Sequence, residues 1–135
     1  MSIALALALL LGGAPSNGGA DFETRVHQAK MAEAAATGPA YQKALWGKIG
    51  NPTTDAYREC LAGNKPGDKS PFTLVLDVDA QGKPQHVVVQ PATRVATCMA
   101  ARFAGWTFPL PPASPKPYPL EIDFSVAPGM DSGGG

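Results

Sequence analysis

The segment that most restricts the fold lies between Phe72 and Ala92, where apolar residues recur every two positions. In FTLVLDVD (72–79) apolar residues alternate with mostly polar ones, which predicts a half-buried strand. AQGK then supplies a tight turn, in which Gly82 is free to adopt a positive φ. PQHVVVQPA (84–92) returns as a second strand. The sequence therefore predicts a β-hairpin, and the rest of the chain must cover its apolar face.

Helical periodicity occupies the chain on both sides of this hairpin. Three amphipathic helices are predicted before it, over residues 21–37, 40–49 and 53–62. Gly38 and Pro39 stop the first helix, and Pro52 lies just beyond the end of the second. After the hairpin, Thr93 caps a further helix over residues 94–104.

A third strand is predicted after this last helix. Prolines hold the connector extended, and YPLEIDFSV (118–126) restores the period of two. A right-handed crossover places this strand beside the first strand and antiparallel to it. The predicted fold class is therefore α+β, with a three-stranded antiparallel sheet in the order 2-1-3 and helices on one face. The N-terminal helices cover the other face or leave it open. Trp106 and Phe108 are predicted to fill the end of the space between the sheet and its helices.

The composition predicts one compact domain. The chain has 135 residues, 44% hydrophobic and 16% charged, as expected for such a domain. Its eleven basic and eleven acidic residues cancel in charge, which argues against a nucleic-acid partner.

The N-terminal residues predict export. MSIALALALLLGG is typical of a secretory signal, predicted over residues 1–20 with cleavage between Ala20 and Asp21. Since its start lacks Lys and Arg, an uncleaved short anchor or an upstream start is the alternative. Membrane contact is expected only through this segment, if it is retained.

Export also gives a prediction for the two cysteines. A periplasmic or secreted protein meets an oxidising compartment, in which Cys60 and Cys98 are expected to form a disulfide. Closing this loop would stabilise the fold by about 4 kcal/mol in the chain-entropy model. The alternative is a zinc site that adds His27 and His86, but no two of these residues have the spacing of a chelating pair.

No catalytic motif is present in the chain. It contains no G-x-S-x-G, P-loop or G-x-G-x-x-G sequence. DVDAQG (77–82) resembles the start of a calcium loop, but the position of the bidentate acid is occupied by Val88. We therefore expect no catalytic residue, metal or cofactor. A hydrolase with a site that the sequence does not reveal is the least favoured hypothesis.

Several of these features together resemble a known domain. They are a cysteine in the helix before the connector, the W-x-F-P sequence from Trp106 to Pro109, and the hairpin with its turn glycine. This combination resembles the carboxy-terminal domain of TonB-type energy transducers, and more closely the AgmX/PglI-type relatives with a cysteine in each of two helices. The resemblance covers residues 53–126. It implies a binding domain over 53–126. The helical periodicity predicts N-terminal helices over 21–52, and the sequence APGMDSGGG predicts a loose tail over 127–135.

The resemblance implies a function in the cell envelope. Domains of this kind bind a partner protein, here an envelope or outer-membrane protein, by letting a short peptide add to the edge of the third strand. The implied disulfide joins Cys60 and Cys98. The implied partner-binding edge consists of Leu120, Glu121, Ile122, Asp123, Phe124, Ser125 and Val126. IALALALLL lacks the polar residues of a transducing helix, so the resemblance extends to binding rather than to energy transduction.

A second function from another class is also consistent with the sequence. A small secreted inhibitor or immunity-type protein would block an enzyme with a loop or with the proline connector PLPPASPKP (109–117). The same connector could serve as a polyproline ligand, although a plain spacer is the preferred interpretation. The oligomeric state is not predicted.

Overall fold

The computed structural model describes residues 18–125 and has an α+β fold. Its elements in chain order are α1 (Gly18–Ala34), α2 (Gly38–Gly63), β1 (Phe72–Val78), β2 (Pro84–Gln90), α3 (Arg94–Ala104) and β3 (Tyr118–Phe124). The three strands form one antiparallel sheet in the order β2-β1-β3, which confirms the predicted class and strand order. Residues 1–17 of the predicted signal, Val126 and the predicted tail lie outside the described residues.

The core lies between one face of the sheet and helices α2 and α3. The side chains of β1 that point to this face are all buried, namely Phe72, Leu74, Leu76 and Val78. They belong to one cluster with residues of both helices. The alternation read from the sequence therefore identifies the core face of β1. Within residues 18–125, no helix is long and apolar enough to cross a bilayer.

The prediction of two separate helices over 40–49 and 53–62 is wrong, because α2 is continuous and contains Pro52. A proline inside a helix removes one backbone hydrogen bond and usually ends or kinks the helix. Here one buried stripe continues through the proline, at intervals of three and four residues: Tyr41, Leu45, Ile49, Thr53, Ala56 and Cys60. Packing of this stripe outweighs the local signal. The predicted boundary between Pro52 and Thr53 thus falls within α2.

Helix α3 follows its prediction closely. The Thr93 side chain accepts a hydrogen bond from the Ala96 amide at 3.0 Å, which is a standard N-cap. Cys60 on α2 and Cys98 on α3 form a disulfide with 5.8 Å between their Cα atoms. The bond holds the two core helices together, as predicted.

The connector after α3 is pinned to the rest of the molecule. Phe108 is buried and Trp106 half-buried, and both rings lie against Phe103 of α3. The Phe108 amide donates to the carbonyl of Gly82 at 2.8 Å. Gly82 has a φ of 82°, and a Cβ there would collide with the Phe108 carbonyl, so this turn requires glycine. Both aromatic residues therefore close the end of the layer.

Helix α1 covers part of the second face of the sheet. Val75, on the face expected to be mostly polar, is 1% exposed, and α1 packs mainly against β3. A tight turn joins α1 to α2, and a Cβ at Gly38 would collide with the backbone carbonyl of Glu33. Of the two arrangements left open by the sequence, the structure has the covered one.

Candidate functional site at the third strand

Strand β3 is the terminal strand of the sheet, as the sequence predicts. It pairs with β1 along its whole length, from Tyr118 opposite Val78 to Phe124 opposite Phe72. No other strand of residues 18–125 pairs with its outer side. Phe124 stacks on Phe72 with 4.6 Å between ring centroids, which fixes the end of the strand to the core.

Most of β3 is buried although it is the terminal strand of the sheet. Residues 118–122 are all buried, and Leu120 is only 1% exposed although it lies on a terminal strand. Such low exposure requires the backbone to be covered as well as the side chain. The cover is α1, which packs against β3 and in which Ala29 and Ala32 are buried.

The predicted edge residues therefore fall into two groups. Leu120, Glu121 and Ile122 lie under the cover. Asp123 and Ser125 are exposed, and Phe124 is half-buried. A partner can reach the last part of β3 directly, whereas the central part requires α1 to move.

Charged side chains connect α1 to β3. Glu121 and Asp123, which we call the acidic strip, lie two residues apart and so point to the same face. The Lys30 ammonium of α1 donates to Glu121 Oε2 at 2.9 Å and lies 3.9 Å from Asp123 Oδ2. The hydrogen bond to Glu121 and its negative charge raise the pKa of Lys30. Asp123 also accepts a hydrogen bond from Thr73, with 2.6 Å between the oxygens.

A third carboxylate, Glu33, adds repulsion to this contact. Burial raises the pKa of the Glu33 carboxyl, and the negative charge of Glu121 raises it further. Glu121 has a side chain only 5% exposed. Its Oε1 atom has no hydrogen-bond partner among the described residues. The contact between α1 and β3 thus contains more negative than positive charge.

The opposite edge of the sheet is closed by its own backbone. The pairing of β2 with β1 shifts register between Val75 and Asp77, and His86 has a φ of 54° at this bulge. The Arg25 guanidinium donates to the His86 carbonyl at 2.7 Å. Pro84, the first residue of β2, lacks an amide hydrogen. A bulge and a proline both interrupt the ladder that an added strand would need.

The described residues contain few other candidate sites. No group of three His, Cys, Asp or Glu among residues 18–125 is arranged to hold a metal ion. A shallow groove of ≈ 520 Å³ lies beside β2, lined by Phe22, Glu23, Val26, Thr73, Gln90 and Pro91. Leu110 on the connector is 69% exposed.

The residues of α1 that contact the acidic strip were not predicted from the sequence. Lys30 and Glu33 had no interpretation beyond the polar side of an amphipathic helix. Only one feature of the sequence points to them. Glu121 alternates with apolar residues in β3, so its carboxylate lies on the second face of the sheet, and a carboxylate on a covered face needs a cation.

No protein-family model matches this chain, and no curated protein or solved structure matches it either.

Proposed function

We propose that this protein is a non-catalytic protein-binding module that takes an extended segment of an envelope protein as a fourth strand beside β3. The observation that carries this proposal is the outer side of β3, which pairs with no other strand of residues 18–125 and is covered by a helix. An added strand would form main-chain hydrogen bonds that a helix cannot offer. The resemblance of residues 53–126 to the TonB carboxy-terminal domain adds support.

Binding over the centre of β3 requires α1 to detach, and the contact is weak enough for this. Ala29 and Ala32 of α1 are buried, and a buried methyl group contributes only about 1 kcal/mol. Phe22, the other buried residue among positions 21–34, lines the groove that also contains Thr73 of β1. The ion pair through Lys30 is half-exposed on the lysine side and adds little more. A new strand can therefore offset the loss of this contact.

The disulfide supports a location outside the cytoplasm. A bond between Cys60 and Cys98 persists in oxidising compartments and is rare in the cytosol. Together with the signal predicted over residues 1–20, this favours a periplasmic or secreted protein. The partner is then a protein of the same compartment or of the membrane facing it.

Site-specific photocrosslinking tests the proposal. A benzophenone amino acid is placed at Asp123 or Ser125, both exposed, and at exposed Lys43 of α2 as the matched control. We expect the two β3 positions, but not the control, to crosslink the same partner segment in the native compartment. A synthetic copy of that segment should then slow hydrogen exchange of the β3 amides. Equal crosslinking at all three positions, or no protection of β3, would overturn the proposal.

A second candidate, an inhibitor, rests on the connector. Leu110 is exposed directly after two anchored residues, because Tyr41 Oη donates to the Pro109 carbonyl at 2.9 Å and the Phe108 amide donates to the Gly82 carbonyl at 2.8 Å. A rigid segment that presents one apolar side chain loses little entropy on binding. A benzophenone at Leu110 distinguishes the two functions, since crosslinks confined to this position would favour the inhibitor.

A further inference from the structure

The α1-facing side of β3 carries more carboxylate than it can neutralise. Lys30 is the one cation within 4.0 Å of the acidic strip among residues 18–125. It is shared between Glu121 and Asp123, and Glu33 brings a third carboxylate close enough for repulsion. The site is therefore short of positive charge even when α1 is in place.

Glu121 shows where a further donor is needed. Its side chain is 5% exposed, and Oε1 receives no hydrogen bond from any described residue. A buried acceptor without a partner costs roughly 1–3 kcal/mol, and more when it is charged. This penalty weakens the state in which α1 covers β3, so a segment that brings a donor to each carboxylate can replace the helix.

A strand paired with β3 would bring side chains to the required place. Cross-strand neighbours in an antiparallel pair have Cβ atoms about 4.5–5.5 Å apart. Since Glu121 and Asp123 lie on one face, the two residues opposite them in an added strand are also separated by a single residue. Long basic side chains at these two positions would each reach one carboxylate.

We propose that the segment bound by β3 is basic, with Lys or Arg at two positions separated by one residue, and that these replace Lys30 at the acidic strip. This inference rests on the proposed strand addition and specifies its partner. A neutral segment would displace Lys30 and leave Glu121 and Asp123 side by side with no cation opposite them, which disfavours its binding. An acidic segment would add repulsion to the same loss.

Three synthetic peptides test this chemistry on the full exported protein. All are nine residues of alternating threonine and valine, with Lys, Thr or Glu at positions 4 and 6, and binding is measured by fluorescence anisotropy. We expect the lysine peptide to bind about tenfold more tightly than the threonine peptide, and the glutamate peptide to bind least. High salt should reduce this difference, because the outer pair with Asp123 is exposed to solvent.

Variants assign the effect to the acidic strip. The double variant Glu121→Gln/Asp123→Asn should abolish the preference for lysine. Asp55→Asn, at an exposed position of α2, is the control and should preserve it. Asp123→Asn alone lies at an exposed position and should lose part of the preference even if Glu121→Gln impairs folding. Lys30→Ala should tighten lysine-peptide binding, and Lys48→Ala, an exposed control on α2, should not.

The outcomes separate this inference from the proposed function. If all three peptides bind equally and protect the β3 amides, strand addition stands and the basic partner is wrong. If the glutamate peptide binds best, or the lysine preference survives in the double variant, the assignment to the acidic strip is wrong. If no peptide binds either the wild type or Lys30→Ala, strand addition fails, and the basic partner fails with it.

Discussion

The two edges of the sheet are protected in different ways. Along β2 the protection is in the strand itself, through the bulge at His86 and the proline at position 84. Along β3 the strand is regular over seven residues and is protected by a separate helix. Backbone irregularity cannot be removed without refolding the strand, whereas a docked helix can leave. The comparison therefore identifies β3 as the edge whose protection is reversible.

The largest effect is expected from enlarging a buried alanine of α1, the helix that packs against β3. Ala29 has no exposed surface, so Ala29→Leu should force α1 away from the strand and lower the free energy of unfolding by about 1–3 kcal/mol. Amides of β3 should then exchange faster with solvent, while those of β2 keep their rates. Ala34→Leu, at an exposed position of the same helix, is the control. Unchanged exchange in β3 would show that α1 is not its cover.

A smaller effect, of opposite sign, is expected at the bulge of β2. His86 has a φ of 54°, a conformation that costs a residue with a side chain roughly 1 kcal/mol. His86→Gly should therefore raise the thermal midpoint, and Gln85→Gly next to it should lower it, since glycine weakens a regular strand. The bulge should persist in both variants. Faster aggregation of His86→Gly than of Gln85→Gly would mean that the side chain, rather than the bulge, protects this edge.

The smallest effect is a pH dependence of the α1 contact. Burial and Glu121 raise the pKa of Glu33 above its ordinary value of 4.5, so the folded protein holds this proton more tightly than the unfolded chain does. Stability conferred by the protonated carboxyl is present below pH 4.5 and is lost as the pH rises through the higher folded pKa. Lys30, Glu121 and Asp123 are the other charged groups at this contact.

Glu33→Gln should remove that dependence. Thermal midpoints measured between pH 4 and 7 should fall less steeply with rising pH in the variant than in the wild type. Glu23→Gln, at an exposed position of the same helix, is the matched control. Parallel slopes for Glu33→Gln and the wild type would contradict the role given to Glu33.

The fold could be predicted because its signals are local. The alternation in β1 and the cap at Thr93 each fix one element without knowledge of the others. A crossover rule then fixes the strand order. The continuity of α2 could not be predicted from local signals, because Pro52 is tolerated only when the helix is held against the sheet. Tertiary packing therefore decides whether the helix continues through Pro52. The only sign of this packing in the sequence is the stripe of buried residues from Tyr41 to Cys60.

The candidate site was predicted only in part. The topology predicts that β3 is the terminal strand of the sheet. It does not predict that α1 covers this strand, because Lys30 of α1 and Glu121 of β3 are far apart in the chain. A pattern of period two in β3 indicates that Glu121 and Asp123 share a face, without saying what faces them. The contact through Lys30 depends on the angle at which α1 crosses the sheet, which no local rule gives.

The glycine at the start of α2 makes the role of α1 open to a genetic test. Any larger residue at position 38 would collide with the Glu33 carbonyl while α1 remains folded back on the sheet. A saturation library at this codon, grown under conditions that demand the protein, would therefore retain only glycine if the folded-back helix is needed. Broad tolerance there would mean that cells can do without it.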